Sequence, residues 1–108
     1  MKKAQVIWSD TALQDMETIY DFLAQNSQPA AQRIIETILG RAKQVESFPE
    51  SGVKQETIEP AIKEPAIKEY RYLIEGNYKI IYSYQTETQT VHIATIFDTR
   101  YNPEKMQV

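Results

Sequence analysis

The stretch Lys68–Tyr84, KEYRYLIEGNYKIIYSY, leaves the chain few choices. Two β-rich runs of alternating character flank Gly76-Asn77, a dipeptide that tolerates the positive φ of a tight hairpin turn. A two-residue turn at Gly76-Asn77, or one shifted back to Glu75-Gly76, sets the same side chains on the same faces, because only a one-residue slip exchanges them. One face carries Arg71, Leu73 and Glu75 with Tyr78, Ile80, Tyr82 and Tyr84; the other carries Tyr70, Tyr72 and Ile74 with Lys79, Ile81 and Ser83. A third β-rich run, Thr90–Thr99, follows a polar turn. A two-residue turn at Glu87-Thr88 pairs Tyr84 with Val91, Tyr82 with Ile93 and Tyr78 with Phe97. On that register Val91, Ile93, Thr95 and Phe97 join the first face, and His92, Ala94, Ile96 and Asp98 join the second.

The first face is the bulkier and more apolar, so it needs cover, and the N-terminal half can supply it. Ala4–Trp8 reads as a short strand. Ser9 or Asp10 then caps a helix whose stripe is Ala12, Leu13, Met16, Ile19, Tyr20 and Leu23. Asn26-Ser27-Gln28-Pro29 interrupts it, since proline fits a first helical turn but not a helix interior. A second helix, from about Gln28 to Phe48, carries Ala31, Ile34, Ile35, Ile38, Leu39, Ala42 and Val45. Gly40 within it costs roughly 1 kcal/mol against alanine, and a close helix crossing is the expected reason for its presence. An αα-hairpin of this kind needs a sheet to lie on. The expected architecture is therefore α+β: an N-terminal strand and αα-hairpin packed on a small antiparallel sheet, in the order β-α-α-β-β-β.

Residues 49–66 break the pattern. They contain most of a tandem pentapeptide, Glu59-Pro60-Ala61-Ile62-Lys63 and Glu64-Pro65-Ala66-Ile67-Lys68. Prolines five apart block both helix and central strand, so an exposed, extended loop is expected. Two copies are too few for a solenoid. At 108 residues the whole chain forms one domain with a real core.

Cysteine is absent, which excludes disulfides and thiolate metal sites and suits a reducing cytoplasm. The apolar run after the N-terminal lysines is too short for a signal peptide or a membrane span, so a soluble, cytoplasmic protein without membrane contact is expected. The net charge of −3 argues against sequence-independent binding to phosphate backbones. Residues 1–66 hold ten acids against seven bases, and residues 67–108 five of each, which directs any anionic ligand to the second half.

With three glycines, a single histidine and no cysteine, neither a phosphate-binding glycine loop nor a metal site is expected, and no cofactor is called for. The second face is the functional candidate. It should be an open surface carrying Tyr70, Tyr72, Lys79 and His92, apolar beyond the ordinary through Ile74, Ile81, Ala94 and Ile96; the alternative is that Thr99–Val108 folds back over it. Together with Arg100, the tyrosines, lysine and histidine could serve metal-independent RNA cleavage. There a base takes the 2′-hydroxyl proton, an acid protonates the leaving oxygen, and cations hold the charge. His92 is the side chain whose ordinary pKa suits both proton transfers.

Ile19-Tyr20-Asp21-Phe22-Leu23, Tyr70-Arg71, Tyr78-Lys79-Ile80-Ile81-Tyr82 and Phe97-Asp98-Thr99-Arg100-Tyr101-Asn102-Pro103 closely resemble the RelE/ParE toxins of type II toxin–antitoxin (plasmid stabilisation) modules. The resemblance runs from about Val6 to Pro103, with residues 56–66 as an insertion. It implies an antiparallel sheet with a helix hairpin, a cognate antitoxin that wraps the toxin, and higher-order toxin–antitoxin assembly. RelE-like members cleave mRNA on the ribosome with basic and tyrosine residues of the concave sheet face. ParE-like members lack that set and poison DNA gyrase. Lys79 stands where the family's strand carries an arginine, Arg100 lies near a second one, and Tyr70 and Tyr72 occupy the places of two lysines. The depleted cations point to a ParE-like gyrase inhibitor acting by binding. The alternatives are an mRNA interferase using Lys79, His92, Arg100, Tyr70 and Tyr72, and a degenerate toxin that binds only antitoxin. Target or antitoxin contacts are expected at Tyr70, Tyr72, Lys79, Ile81, Ala94, Ile96, Arg100 and Tyr101.

Overall fold

The computed structural model describes residues 3–54 and 69–100. The tandem pentapeptide and Tyr101 lie outside the described residues, as does the alternative in which the C-terminal segment folds back over the sheet. Seven elements follow in order: β1 (Gln5–Trp8), α1 (Asp10–Ala24), α2 (Gln28–Ser47), β2 (Val53–Lys54), β3 (Tyr70–Glu75), β4 (Tyr78–Gln85) and β5 (Thr90–Asp98). They build one five-stranded sheet ordered β1-β5-β4-β3-β2.

The hairpin forms as its alternation requires. Gly76 takes φ +60 at the turn, and Leu73 pairs with Ile80 and Arg71 with Tyr82. β1 lies beside β5 and runs parallel to it, so the sheet is mixed rather than wholly antiparallel. A parallel partner requires a long crossover, and the two helices provide it. Val53 and Lys54, expected within an exposed loop, pair with Tyr72 and Arg71 and add a short edge strand.

Ser9 is the cap of α1, accepting from the Ala12 N–H at 3.0 Å, and Ser27 caps α2 ahead of Pro29. The helices bury Ala12, Ile19, Ala31, Ile38, Ala42 and Val45 beneath the sheet, and most of these join Leu73, Tyr78, Ile80, Tyr82, Val91, Ile93 and Ile96 in one core. Three expectations change. Leu13 and Leu39 stand at the margins of their stripes and are exposed. Gly40 faces open space, with nothing within 4 Å of where a Cβ would stand. No close helix crossing explains it.

The largest departure lies in β5. Tyr84 pairs with Val91 and Tyr82 with Ile93 as expected, but Ile81 pairs with Thr95, leaving Ala94 as an extra residue. Beyond this β-bulge the register moves by one: Ile80 faces Ile96, Lys79 faces Phe97 and Tyr78 faces Asp98. One added residue exchanges the faces of all that follow. Ile96 therefore joins the core beneath the helices, and Phe97 joins Tyr70 and Ile81 on the opposite face.

The bulge has its cause at the edge of β5. β1 ends at Trp8, which pairs with Ile93, and α1 begins two residues later. Past that point the edge of β5 needs other partners. Ser9 Oγ donates to the Ala94 carbonyl at 2.7 Å. Asp15 Oδ2 accepts from Thr95 Oγ1 at 2.6 Å and from the Ile96 N–H at 2.9 Å. Two side chains at the start of α1 thus replace a strand along the edge.

Candidate functional site

Behind the helix-covered face, the sheet presents Tyr70, Tyr72, Lys79, Ile81, Ser83, His92, Ala94 and Phe97. This was expected to be an open surface, but it is not. Tyr70, Ile81 and Phe97 form a buried apolar cluster with Tyr72 and Ala94 packed against it. Ile81 is 0% exposed and Lys79 only 3%. Ile96, expected here, is buried under the helices instead. Neither isoleucine is a surface residue that a partner could touch without rearrangement.

The cations of the sheet are engaged within the protein. Lys79 Nζ sits 4.3 Å from the centroid of the Tyr72 ring and 6.0 Å from that of Phe97. Its ammonium is thereby held against aromatic faces in a dry setting, where such contacts are strongest. Arg100 grips Asp98 at two points, Nε to Oδ1 at 3.0 Å and Nη2 to Oδ2 at 2.7 Å, while its backbone N–H also donates to Oδ1. Burial alone would raise the Asp98 carboxyl, but these Arg100 hydrogen bonds and its charge outweigh that and hold the pKa below the usual value. Arg71 reaches the Gly52 carbonyl at 3.0 Å, and Lys54 pairs with Glu69 at 2.7 Å.

His92 pairs with Ser83, four residues along β4 from Lys79. At the rise of an extended strand that places it about 13 Å from Lys79. General acid–base partners must reach one substrate within hydrogen-bonding distance. The strand positions do not bring His92 and Lys79 to one phosphate. Tyr72 stands over Lys79 as its ring partner, whereas Tyr70, which like His92 pairs with Ser83, packs in the cluster with Ile81 and Phe97. Among the described residues no cluster of His, Asp and Glu could hold a metal ion.

A second polar centre, not anticipated from the sequence, holds the corner after α2. Tyr82 Oη accepts from the Gly52 N–H at 2.9 Å and donates to the Pro49 carbonyl at 2.8 Å. Burial pushes its phenol pKa up, against the opposing hydrogen bond from Gly52. A Cβ on Gly52 would lie 2.6 Å from Tyr82 Oη and 2.8 Å from the Tyr72 carbonyl, so the approach requires glycine.

A groove of about 260 Å³ lies between α1 and the ends of β4 and β5. Asp15, Thr18, Ile19 and Phe22 line one wall; Tyr78, Ile96, Phe97 and Asp98 line the other. Sequence reasoning missed it because Ile96, Phe97 and Asp98 reach it only after the bulge has changed their register.

Residues 6–103 match the family described as the ParE toxin of the type II toxin–antitoxin system, parDE. The chain belongs to this toxin family. Membership implies a cognate antitoxin as partner. No curated protein matches the chain. Among solved structures, the toxin fold of the chromosomal ParDE system from P. aeruginosa superposes with a TM-score of 0.67 at 17% identity, covering 89% of this chain and 96% of that one. The RelBE2 toxin–antitoxin complex from Mycobacterium tuberculosis gives 0.60 at 16% identity, covering 91% and 93%. A mutant of E. coli toxin RelE in the free state, with two arginines replaced by alanine, gives 0.55 at 13% identity, covering 97% and 92%. At such identities the likeness is one of fold. No described helix of this toxin is long and apolar enough to cross a membrane.

Proposed function

We propose that this toxin acts by binding rather than by cleaving RNA, that DNA gyrase is its target, and that its antitoxin relieves the inhibition. The observation that carries this reading is the state of Lys79, which is buried and laid over the rings of Tyr72 and Phe97. A cation placed to stabilise a phosphorane-like transition state must reach the developing charge. Bringing Lys79 to a phosphate would first require lifting it from those rings. The grip of Asp98 on Arg100 and the separation of His92 from Lys79 support the same reading. The choice of gyrase draws on membership of the ParE toxin family and on the likeness to a ParDE system.

Expression of the chain without its antitoxin is the test, with two measurements made together. Gyrase supercoiling of relaxed plasmid in vitro should fall with added toxin, while primer extension on cellular mRNA shows no new ends. Cleaved transcripts with normal supercoiling would overturn the reading in favour of an mRNA interferase. Normal growth with neither effect would favour a degenerate toxin.

A further inference from the structure

The groove between α1 and the β4–β5 end differs from the buried sheet face in both access and charge. Its walls are apolar through Ile19, Phe22, Tyr78, Ile96 and Phe97, and Phe22 is 47% exposed at its mouth. α1 itself carries Asp10, Asp15, Glu17 and Asp21 and no lysine or arginine, whereas α2 carries Arg33, Arg41 and Lys43 against Glu36 and Glu46. The acidic balance of the N-terminal half is therefore concentrated on the helix that walls the groove.

Asp15 gives that charge a fixed position. Its Oδ2 is held by Thr95 Oγ1 and the Ile96 N–H, and it makes no ion pair with a described residue. The second carboxylate of the groove, Asp98, is already matched by Arg100. One half-buried, unmatched negative charge thus stands beside an apolar slot, on a helix whose other charges are all negative.

We infer that this groove docks a basic, apolar peptide segment, with an aliphatic or aromatic side chain seated against the exposed ring of Phe22 and a lysine or arginine reaching Asp15. Charge decides the class of occupant. Nucleic acid is repelled by α1. A second copy of this chain brings a net charge of −3. Residues 101–108 bring one acid and one base, Glu104 and Lys105, with no positive excess. Another protein's basic segment satisfies both the apolar walls and the carboxylates. Naming the cognate antitoxin as the carrier of that segment rests on the toxin reading; the chemistry of the groove does not.

The test uses the full chain and a fluorescein-labelled amphipathic peptide of leucine and lysine, with its leucine–glutamate counterpart as control, followed by anisotropy. The lysine peptide should bind, and the glutamate peptide should bind at least tenfold more weakly. Thr18→Lys changes the charge by +1 at the groove, and Glu36→Gln makes the same change on α2. The first should weaken binding tenfold and the second less than twofold, with Asp15→Asn losing severalfold. Amide NMR shifts on titration should centre on α1 and residues 94–98. Equal losses for Thr18→Lys and Glu36→Gln, equal binding of both peptides, or shifts centred on α2 or β2 would each overturn the inference. Gyrase supercoiling reports separately on the toxin reading. A chain that inhibits gyrase without binding the peptide overturns only the groove. One that binds the peptide but spares gyrase overturns only the choice of target.

Discussion

The helix-covered face of the sheet buries Leu73, Tyr78, Ile80, Tyr82, Val91, Ile93 and Ile96 in one cluster with side chains from both helices. Among the described residues, the opposite face gathers Tyr70, Ile81 and Phe97 in a buried apolar cluster, with Tyr72 and Ala94 packed against it and Lys79 across the rings. Both are dry, but they are built for different ends. The first is a core in the ordinary sense, where side chains from helices and sheet interlock. The second is a thin aromatic layer wrapped around one ammonium group. Burial there holds a cation in place instead of presenting it.

Truncation should separate the two faces most sharply. Ile93→Ala removes a fully buried side chain from the large cluster, where neighbours on two helices and several strands restrain collapse. It should cost about 4 kcal/mol, toward the upper part of the usual range. Ile81→Ala removes an equally buried side chain from a smaller cluster that can close more readily, and should cost about 2 kcal/mol. Urea unfolding of both variants measures the difference. Equal costs, or a larger one for Ile81, would mean that the opposite face is a full second core.

A smaller effect is expected at the corner that ties α2 to the sheet. Tyr82→Phe retains the aromatic volume within the core but removes the hydroxyl shared between the Gly52 N–H and the Pro49 carbonyl. Leaving those two groups short of a partner should cost about 1–3 kcal/mol. The same hydroxyl supplies an independent check. Its pKa is raised, so the folded state keeps the proton that the unfolded chain releases, and stability should fall as pH rises through the ordinary tyrosine value of 10.0. That sign follows from the neutral phenol being the form the buried corner favours. Tyr82→Phe should lessen the alkaline loss. An unchanged alkaline limb would show the corner to be open in solution.

The hairpin was fully legible in the sequence because alternation and Gly76-Asn77 both specify the same register, and either plausible turn gave the same faces. The helices were legible for a similar reason: Ser9, Ser27 and Pro29 mark ends that the apolar spacing also marks. What failed was everything downstream of Ala94. A β-bulge inserts one residue without a turn signal, and its cause is tertiary: Ser9 and Asp15, some eighty residues earlier, replace a missing strand at the edge of β5. Asp15 lies off the apolar stripe of α1, so periodicity alone assigns it no partner. The site reading suffered accordingly, since Ile96 and Phe97 exchanged faces. Lys79 was placed on the correct face, but alternation says which way a side chain points and not whether the face is covered.

The smallest expected effect bears on Arg100, which is paired with a carboxylate where Lys79 is laid on rings. The Asp98 carboxyl is held below its ordinary value by the hydrogen bonds and charge of Arg100, against the opposing influence of burial. A carboxylate with a lowered folded pKa contributes stability above its unfolded value of about 3.8. That contribution disappears as pH falls through the folded value. Because Arg100 is half exposed, screening limits it to about 0.5 kcal/mol. Arg100→Gln should therefore lower the melting temperature slightly at pH 6 and flatten the loss between pH 4 and pH 2, to a degree that calorimetry across that range can resolve. If the variant kept the wild-type acid limb, Asp98 would not be holding Arg100 in solution. The arginine would then be available to an anionic ligand, and the contrast between a sheet that sequesters its cations and a groove that gathers carboxylates would lose one of its supports.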